Sequence, residues 1–377
     1  MEGMRIVKKK TIVFFIYQMG AGGAARTFLN ILNNIDRSRF NPILVTCDYN
    51  GSYEEYLHPD ITFIKLKTKR LRSAIFPLAK LIRQVKADLV FSTIPNYNTI
   101  AIAGRVLSFT RAKNIVREAA FLGGNPKEDI KLRAYGLLYR LAAKVIALSG
   151  GVKENIINRY KINSEKIRII YNPVDLETIE DRSTNGEIAP EHVPIFSGHE
   201  KVIITAGRLV DDKDHRTMLQ AFAKVNEQIK SKLVILGEGE LEKELKSFAK
   251  ELGIEDRVYF AGFQKNPYVY FKQADVFALS SKREGFGHVL AEALAVGVPV
   301  VSTACKPGAI EVLAGGKYGK LSDVGDAEAL AENMLEVLTL DEGKRNEMIN
   351  QGLARANEFN AKTIVKQYEE VFEEMTD

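Results

Sequence analysis

Glu284-Gly-Phe-Gly-His-Val-Leu-Ala-Glu292 sets two carboxylates around two glycines. Gly285 and Gly287 leave the backbone free to approach a ligand, and Val289, Leu290, Ala293, Leu294 and Val296 then recur at helical spacing. The spacing predicts a glycine turn feeding a helix whose amides from Gly287 to Leu290 point forward, an arrangement that holds phosphate. Ionised carboxylates such as Glu284 and Glu292 are natural acceptors for hydroxyl groups. Upstream, Arg208 stands at a predicted strand end with Lys213 five residues on. Arg can clamp a diphosphate with two parallel bonds and Lys can add a point charge, so the pair could stabilise charge building on a departing diphosphate. A plainer reading is also open: surface acids around a turn, and cations paired with Asp211, Asp212 or Asp214. The Asp211-Asp212-Lys213-Asp214 run reads as a solvated loop rather than a metal site.

These groups need a scaffold that brings loops together. The apolar run 11–16 reads as a buried strand, followed by Gly20-Ala-Gly22-Gly23 and a helical stripe of Phe28, Leu29, Leu32 and Ile35. Gly20-x-Gly22-x-x-Ala25, with Asp48 ending the next strand, also approaches a dinucleotide fingerprint, so a nicotinamide-dependent oxidoreductase stays in view. Strands at 43–46, 61–66, 88–92, 114–116 and 145–148 alternate with helices at 75–85, 99–109, 130–143 and from 149 to about 159. Such alternation predicts a doubly wound parallel sheet over residues 1–180. Residues 181–200 are polar with two prolines and two glycines, and read as a linker. The pattern restarts over 201–360, where each strand ends in a glycine-bearing or small polar loop, the place where open parallel sheets bind ligands. A last helix, 361–377, could cross back to the first domain.

The 377 residues suffice for two cores, and the 46% hydrophobic and 27% charged fractions are those of a globular protein. No run reaches a membrane span and the N-terminus lacks a signal peptide, while Cys47 and Cys305 stand alone, so a cytoplasmic protein without disulfides is expected. The five histidines, His58, His192, His199, His215 and His288, have no zinc spacing. Residues 1–180 carry 29 Lys and Arg against 15 Asp and Glu, or +14; the remaining 24 against 33 give −9. The stretch 65–86 holds Lys65, Lys67, Lys69, Arg70, Arg72, Lys80, Arg83 and Lys86 without an acid, interleaved with Leu71, Ile75, Phe76, Leu78, Leu81 and Ile82. It suits an anionic membrane surface, or equally a solvated helix face.

Taken in order, Gly22-Gly23-Ala-Ala-Arg26, Tyr171-Asn172-Pro-Val-Asp175, Gly207-Arg208-Leu-x3-Lys213, Gly237-x-Gly239, Glu284-Gly-Phe-Gly-x4-Glu292-Ala-x3-Gly-x-Pro299 and Pro307-Gly-x3-Glu311 resemble the retaining glycosyltransferases of family 4. The resemblance implies the GT-B fold, two Rossmann-like doubly wound domains facing a central cleft, the first binding acceptor and the second a nucleotide-sugar. It implies metal-independent transfer, without a cofactor, from a donor read as a UDP-sugar to a glycan or lipid-linked acceptor in cell-surface polysaccharide synthesis. Nucleic acid is not among the expected partners, and the protein could sit peripherally on the inner membrane face.

Carried over residue by residue, Arg208 and Lys213 take the diphosphate, and Glu284 the sugar hydroxyls. The amides of Gly22, Gly23, Gly287, His288 and Val289 complete the cradle, Gly237 joins the donor site, Glu292 takes the ribose, and Phe263 and Gln264 lie by the base. The His288 side chain stands near the phosphates by position, or in solvent. Two departures are present: Ala25 where the family often has Glu, and Arg117-Glu118-Ala119-Ala120 where it often has His. Arg117 and Glu118 could substitute or form a structural salt bridge. An oxidoreductase, a GT-B epimerase or phosphorolytic enzyme, and a non-catalytic nucleotide-sugar binder remain as alternatives.

Overall fold

The computed structural model describes residues 9–20, 22–120, 122–123 and 126–376. They divide into two compact units: the chain to Pro173 joined by Ala361 onward, and Val174–Asn360.

In the first unit, strands β1 (Lys10–Phe15), β2 (Phe40–Thr46), β3 (Thr62–Lys65), β4 (Leu89–Thr93), β5 (Lys113–Glu118), β6 (Lys144–Ala147) and β7 (Ile167–Ile169) form one sheet in the order β3-β2-β1-β4-β5-β6-β7. Every neighbouring pair is parallel. Helices α1 (Gly23–Asn34), α2 (Ile75–Gln84), α3 (Pro95–Ser108), α4 (Pro126–Tyr139) and α5 (Gly150–Asn155) connect the strands. The central strands are buried on both faces, as short apolar runs in a covered parallel sheet must be.

In the second unit α6 (Leu176–Asn185) precedes β8 (Lys201–Ala206), β9 (Ser231–Leu236), β10 (Val258–Gly262), β11 (Val276–Leu279), β12 (Val300–Thr303) and β13 (Lys320–Ser322). Their order is β10-β9-β8-β11-β12-β13, again parallel throughout. Helices α7 (His215–Gln228), α8 (Glu242–Glu251), α9 (Tyr268–Lys272), α10 (His288–Val296), α11 (Gly308–Val312), α12 (Ala327–Leu338) and α13 (Glu342–Asn357) complete the unit. In both sheets strand order reverses beside the first strand, the switch point of doubly wound folds.

The last helix, α14 (Ala361–Thr376), belongs to the first unit. Its Phe372 stands edge-on to Phe14 and Phe91, with ring centroids 6.0 and 5.5 Å apart.

The sequence reading placed a linker at 181–200, but the division falls at Pro173. Asp175 caps α6 by accepting from the amide of Thr178 (3.1 Å), and Pro190–Phe196 winds into a 3-10 turn, so this polar stretch is ordered within the second unit. Polar composition was mistaken for a boundary because α6 buries only Ile179.

Candidate active site

The strand-end loops of the second unit are hydrogen-bonded to one another in sheet order. At the end of β10 the carbonyl of Gly262 accepts from Gly237 of the β9 loop (2.8 Å). Leu209 of the β8 loop then donates to the carbonyl of Glu238 (2.9 Å), and Lys282 of the β11 loop donates to that of Asp212 (2.9 Å). Gly308, after β12, donates to Glu284 (3.0 Å). Glycine is required where these backbones meet. A Cβ on Gly237, whose φ is 137°, would stand 1.9 Å from the carbonyl oxygen of Gly207, and one on Gly308 would stand 2.7 Å from the carbonyl of Phe286.

Between the β8 and β11 loops, at the switch point, Lys213 Nζ pairs with Glu284 Oε1. Their side chains are 20% and 12% exposed, so the pair is sheltered but open to a ligand. Ser281 Oγ donates to the same Glu284 oxygen (2.9 Å), Ser280 Oγ donates to the carbonyl of Lys213 (3.0 Å), and Thr303 Oγ1 donates to that of Ser281 (2.7 Å). The acids that might have captured Lys213 are otherwise engaged: Asp211 with Lys282 (2.6 Å), Asp212 with Arg283 (2.8 Å) and Asp214 with Thr217 (2.8 Å). Arg208 is exposed at the end of β8. Burial and then the Glu284 charge push the Cys305 thiol up to about 12. Burial and then the Lys213 charge bring His215 down to about 4.

Gly287 caps α10 in a left-handed conformation, φ 81°, and an ideal Cβ there would sit 4.0 Å from that of Glu284. The amide of Leu290 already donates to Gly287 (3.0 Å), which leaves Gly287, His288 and Val289 as the amides opening the helix. The His288 ring stands edge-on to Phe286, with centroids 5.5 Å apart. Glu292 is buried within α10, 2% exposed, where the sequence had left it on either surface or crevice. Phe263 is 46% exposed beyond β10 and its amide donates to Glu238 (3.4 Å). Gln264 differs: Nε2 donates to Ala261 (2.6 Å) and Oε1 accepts from Tyr270 (3.1 Å), so its amide is drawn into the unit.

In the first unit Gly22 precedes α1, and a Cβ there would meet nothing within 4 Å. Gly23 is the first residue of that helix and accepts from Thr27 Oγ1 (2.9 Å). Arg117 and Glu118 form no salt bridge with each other. Arg117, fully buried, donates to Thr93 (2.9 Å), Tyr368 (3.2 Å) and Asn172, tying β5 to the Tyr171-Asn172-Pro173 motif and to α14. Glu118 accepts from Tyr139, from Tyr160 (3.2 Å) and from Asn98 (3.1 Å), and its burial raises the carboxyl to about 7. Sequence reasoning missed Ser280, Ser281 and Thr303, although the serine pair directly follows the apolar run of β11.

Residues 21–178 match the model of Glycosyltransferase Family 4 and residues 191–355 that of Glycosyl transferases group 1. A Campylobacter jejuni N-acetylgalactosamine-N,N'-diacetylbacillosaminyl-diphospho-undecaprenol 4-alpha-N-acetylgalactosaminyltransferase is 30% identical over 370 residues, 93% of this chain and 96% of the relative. An uncharacterized glycosyltransferase of Methanocaldococcus jannaschii is 26% identical over 407 residues, 94% of this chain and 98% of its own. The crystal structure of Anabaena HepE in complex with UDP and glucose superposes with a TM-score of 0.82 at 22% identity, covering 97% of this chain and 100% of that one. These matches displace the oxidoreductase reading of the Gly20 loop. The chain belongs to glycosyltransferase family 4 and has the GT-B fold.

Proposed function

We propose that this glycosyltransferase moves a sugar from a UDP-sugar to a glycan or lipid-linked acceptor, with retention and without a bound metal. The observation that carries the reading is the Lys213–Glu284 pair at the switch point of the second sheet, beside the start of α10. Arg208 and Lys213 answer the diphosphate charge, joined by the amides of Gly287, His288 and Val289. Glu284 accepts from sugar hydroxyls and Glu292 from the ribose; Gly237 shapes the loop beneath them, and Phe263 offers a face to the base. Gln264 steadies that loop. In the transfer step the acceptor oxygen bonds to the anomeric carbon on the face from which the diphosphate oxygen leaves, and the acceptor proton passes to that oxygen.

The Anabaena protein's complex with UDP supports the donor class, and the Campylobacter relative's diphospho-undecaprenol substrate supports a lipid-linked acceptor. On this reading the first unit receives the acceptor, and its exposed cations Lys67, Lys69, Arg70 and Arg72 face an anionic membrane at the cytoplasmic side. No helix among the described residues is long and apolar enough to cross a membrane.

A panel of nucleotide-sugars tests the proposal. The true donor at a hundred times its Kd should stabilise the fold by about 2.7 kcal/mol, and UDP should be released once acceptor is added. Stabilisation by a nucleotide-sugar of another base, and none by any UDP-sugar, would overturn the donor assignment.

A further inference from the structure

The apolar residues of 65–86 turn inward: Leu78 and Ile82 are fully buried, and of the group only Phe76 is exposed. The outward apolar surface of the first unit lies on α4 instead. Leu132, Gly136 and Tyr139 hold that helix to the unit, and at Gly136 a Cβ would stand 1.9 Å from the carbonyl oxygen of Tyr160, so the helix cannot roll. Its opposite face shows Ile130 (68% exposed), Leu137 (61%), Leu138 (38%) and, just past its end, Leu141 (52%). Spacings of seven, eight and eleven residues from Ile130 stack these side chains into one stripe. Arg105 Nη2 donates to the carbonyl of Leu141 (2.9 Å), joining the end of α3, where Val106, Leu107 and Phe109 are exposed. Seven of the thirteen large apolar side chains exposed among the described residues therefore lie on this helix pair or just past its ends. Soluble helices turn such a stripe inward.

Charge identifies what covers it. Lys127, Lys131, Arg133 and Arg140 border the stripe, and among the described residues none of them forms an ion pair; the neighbouring Asp129 is taken by Arg159. A second copy seated by a twofold axis would bring these like charges together. An anionic bilayer accepts both features. We propose that α4, with the end of α3, lies in the interface of an anionic membrane, its stripe below the headgroups and its cations at the lipid phosphates. Docking would then reach the strand ends directly, since Tyr135 of α4 donates to Asn96 (2.5 Å) and Tyr139 to Glu118. The inference deepens the lipid-linked acceptor reading, but it is measured without donor or acceptor.

The chain contains no tryptophan, so Leu137→Trp places a single tryptophan, excited apart from the tyrosines at the red edge, on the stripe. Its emission should shift to the blue on mixing the full chain with phosphatidylglycerol-containing vesicles and stay unchanged with phosphatidylcholine alone. Val324→Trp, exposed in the second unit, should not respond. In cosedimentation, Ile130→Ser with Leu137→Ser and Leu141→Ser should weaken binding about tenfold or more. Arg133→Gln and Arg140→Gln should each weaken it about fivefold. All these positions are exposed, so unchanged thermal unfolding confirms intact folds. An unshifted Leu137→Trp emission, or vesicle binding equal to wild type in the triple variant, overturns the proposal. Self-association abolished by the triple variant, with no vesicle binding, would assign the face to a second copy. UDP-sugar stabilisation is read separately, so either reading can fail while the other stands.

Discussion

Glu284 holds two partners at once, Lys213 and Ser281, through a single carboxylate oxygen. A diphosphate competes with Glu284 for the Lys213 charge, and drawing the ammonium toward it loosens the carboxylate for hydroxyls. Glu284→Gln separates the two effects, because the amide oxygen can still accept from Ser281 while the charge is gone. UDP should then bind up to about fivefold more tightly, the range of a partly exposed ion pair. Transfer should fall about tenfold or more for want of a charge-assisted bond to the sugar. Titration calorimetry with UDP and kcat/KM measure the two; weaker binding of UDP would show that the pair is scaffold. The glycines divide in the same way. Gly237→Ala puts a methyl against the Gly207 carbonyl at a φ of 137° and should cost about 1–3 kcal/mol or more in urea unfolding. Gly22→Ala, with an extended φ of −157° and open space, should leave the unfolding midpoint unmoved. A fall in transfer at Gly22 alone would then report the donor's approach.

At the scale of elements, β5 meets α4 at a buried carboxyl. Glu118 ionises near 4.5 in the unfolded chain and is raised to about 7 by burial, against the pull of Tyr139, Asn98 and Tyr160. Between those values the folded carboxyl keeps a proton that the unfolded chain has released, so stability falls as pH rises through 4.5–7. Glu118→Gln should flatten that part of the stability–pH curve, as read from urea midpoints; an unchanged slope would assign it to other groups. Neither this site nor the outward stripe of α4 was legible beforehand. Tyr139 and Tyr160 are far from Glu118 in sequence, and α4 is apolar on two faces, which erases the one-sided pattern that marks a surface helix. The strands were legible because buried parallel strands are largely apolar runs: 11–16, 88–92 and 145–148 fall within one residue of β1, β4 and β6. The Lys213–Glu284 pair was legible only as two motif members, since 71 residues separate them and nothing local joins them.

At the scale of the whole chain, the path passes from one unit to the other twice, at Pro173 and at Asn360. The amide of Val174 donates to the carbonyl of Phe359 (2.8 Å), so the two strands of the passage run side by side. The returning α14 brings acids to a basic unit: Glu369 and Glu373 meet Arg39, Glu370 meets Arg168, and Glu374 meets Lys144. It also brings Tyr368 and Phe372, both fully buried. Magnitude decides which of these holds the helix. Each exposed ion pair is worth about 0.2–1 kcal/mol, whereas a buried phenylalanine truncated to alanine costs about 3–5 kcal/mol. Phe372→Ala should therefore lower stability several times more than Glu373→Gln, although both act on the same helix. Urea unfolding followed by circular dichroism compares them, and equal losses would mean that opposite charge, rather than the aromatic cluster of Phe14, Phe91 and Phe372, returns the end of the chain to the first unit.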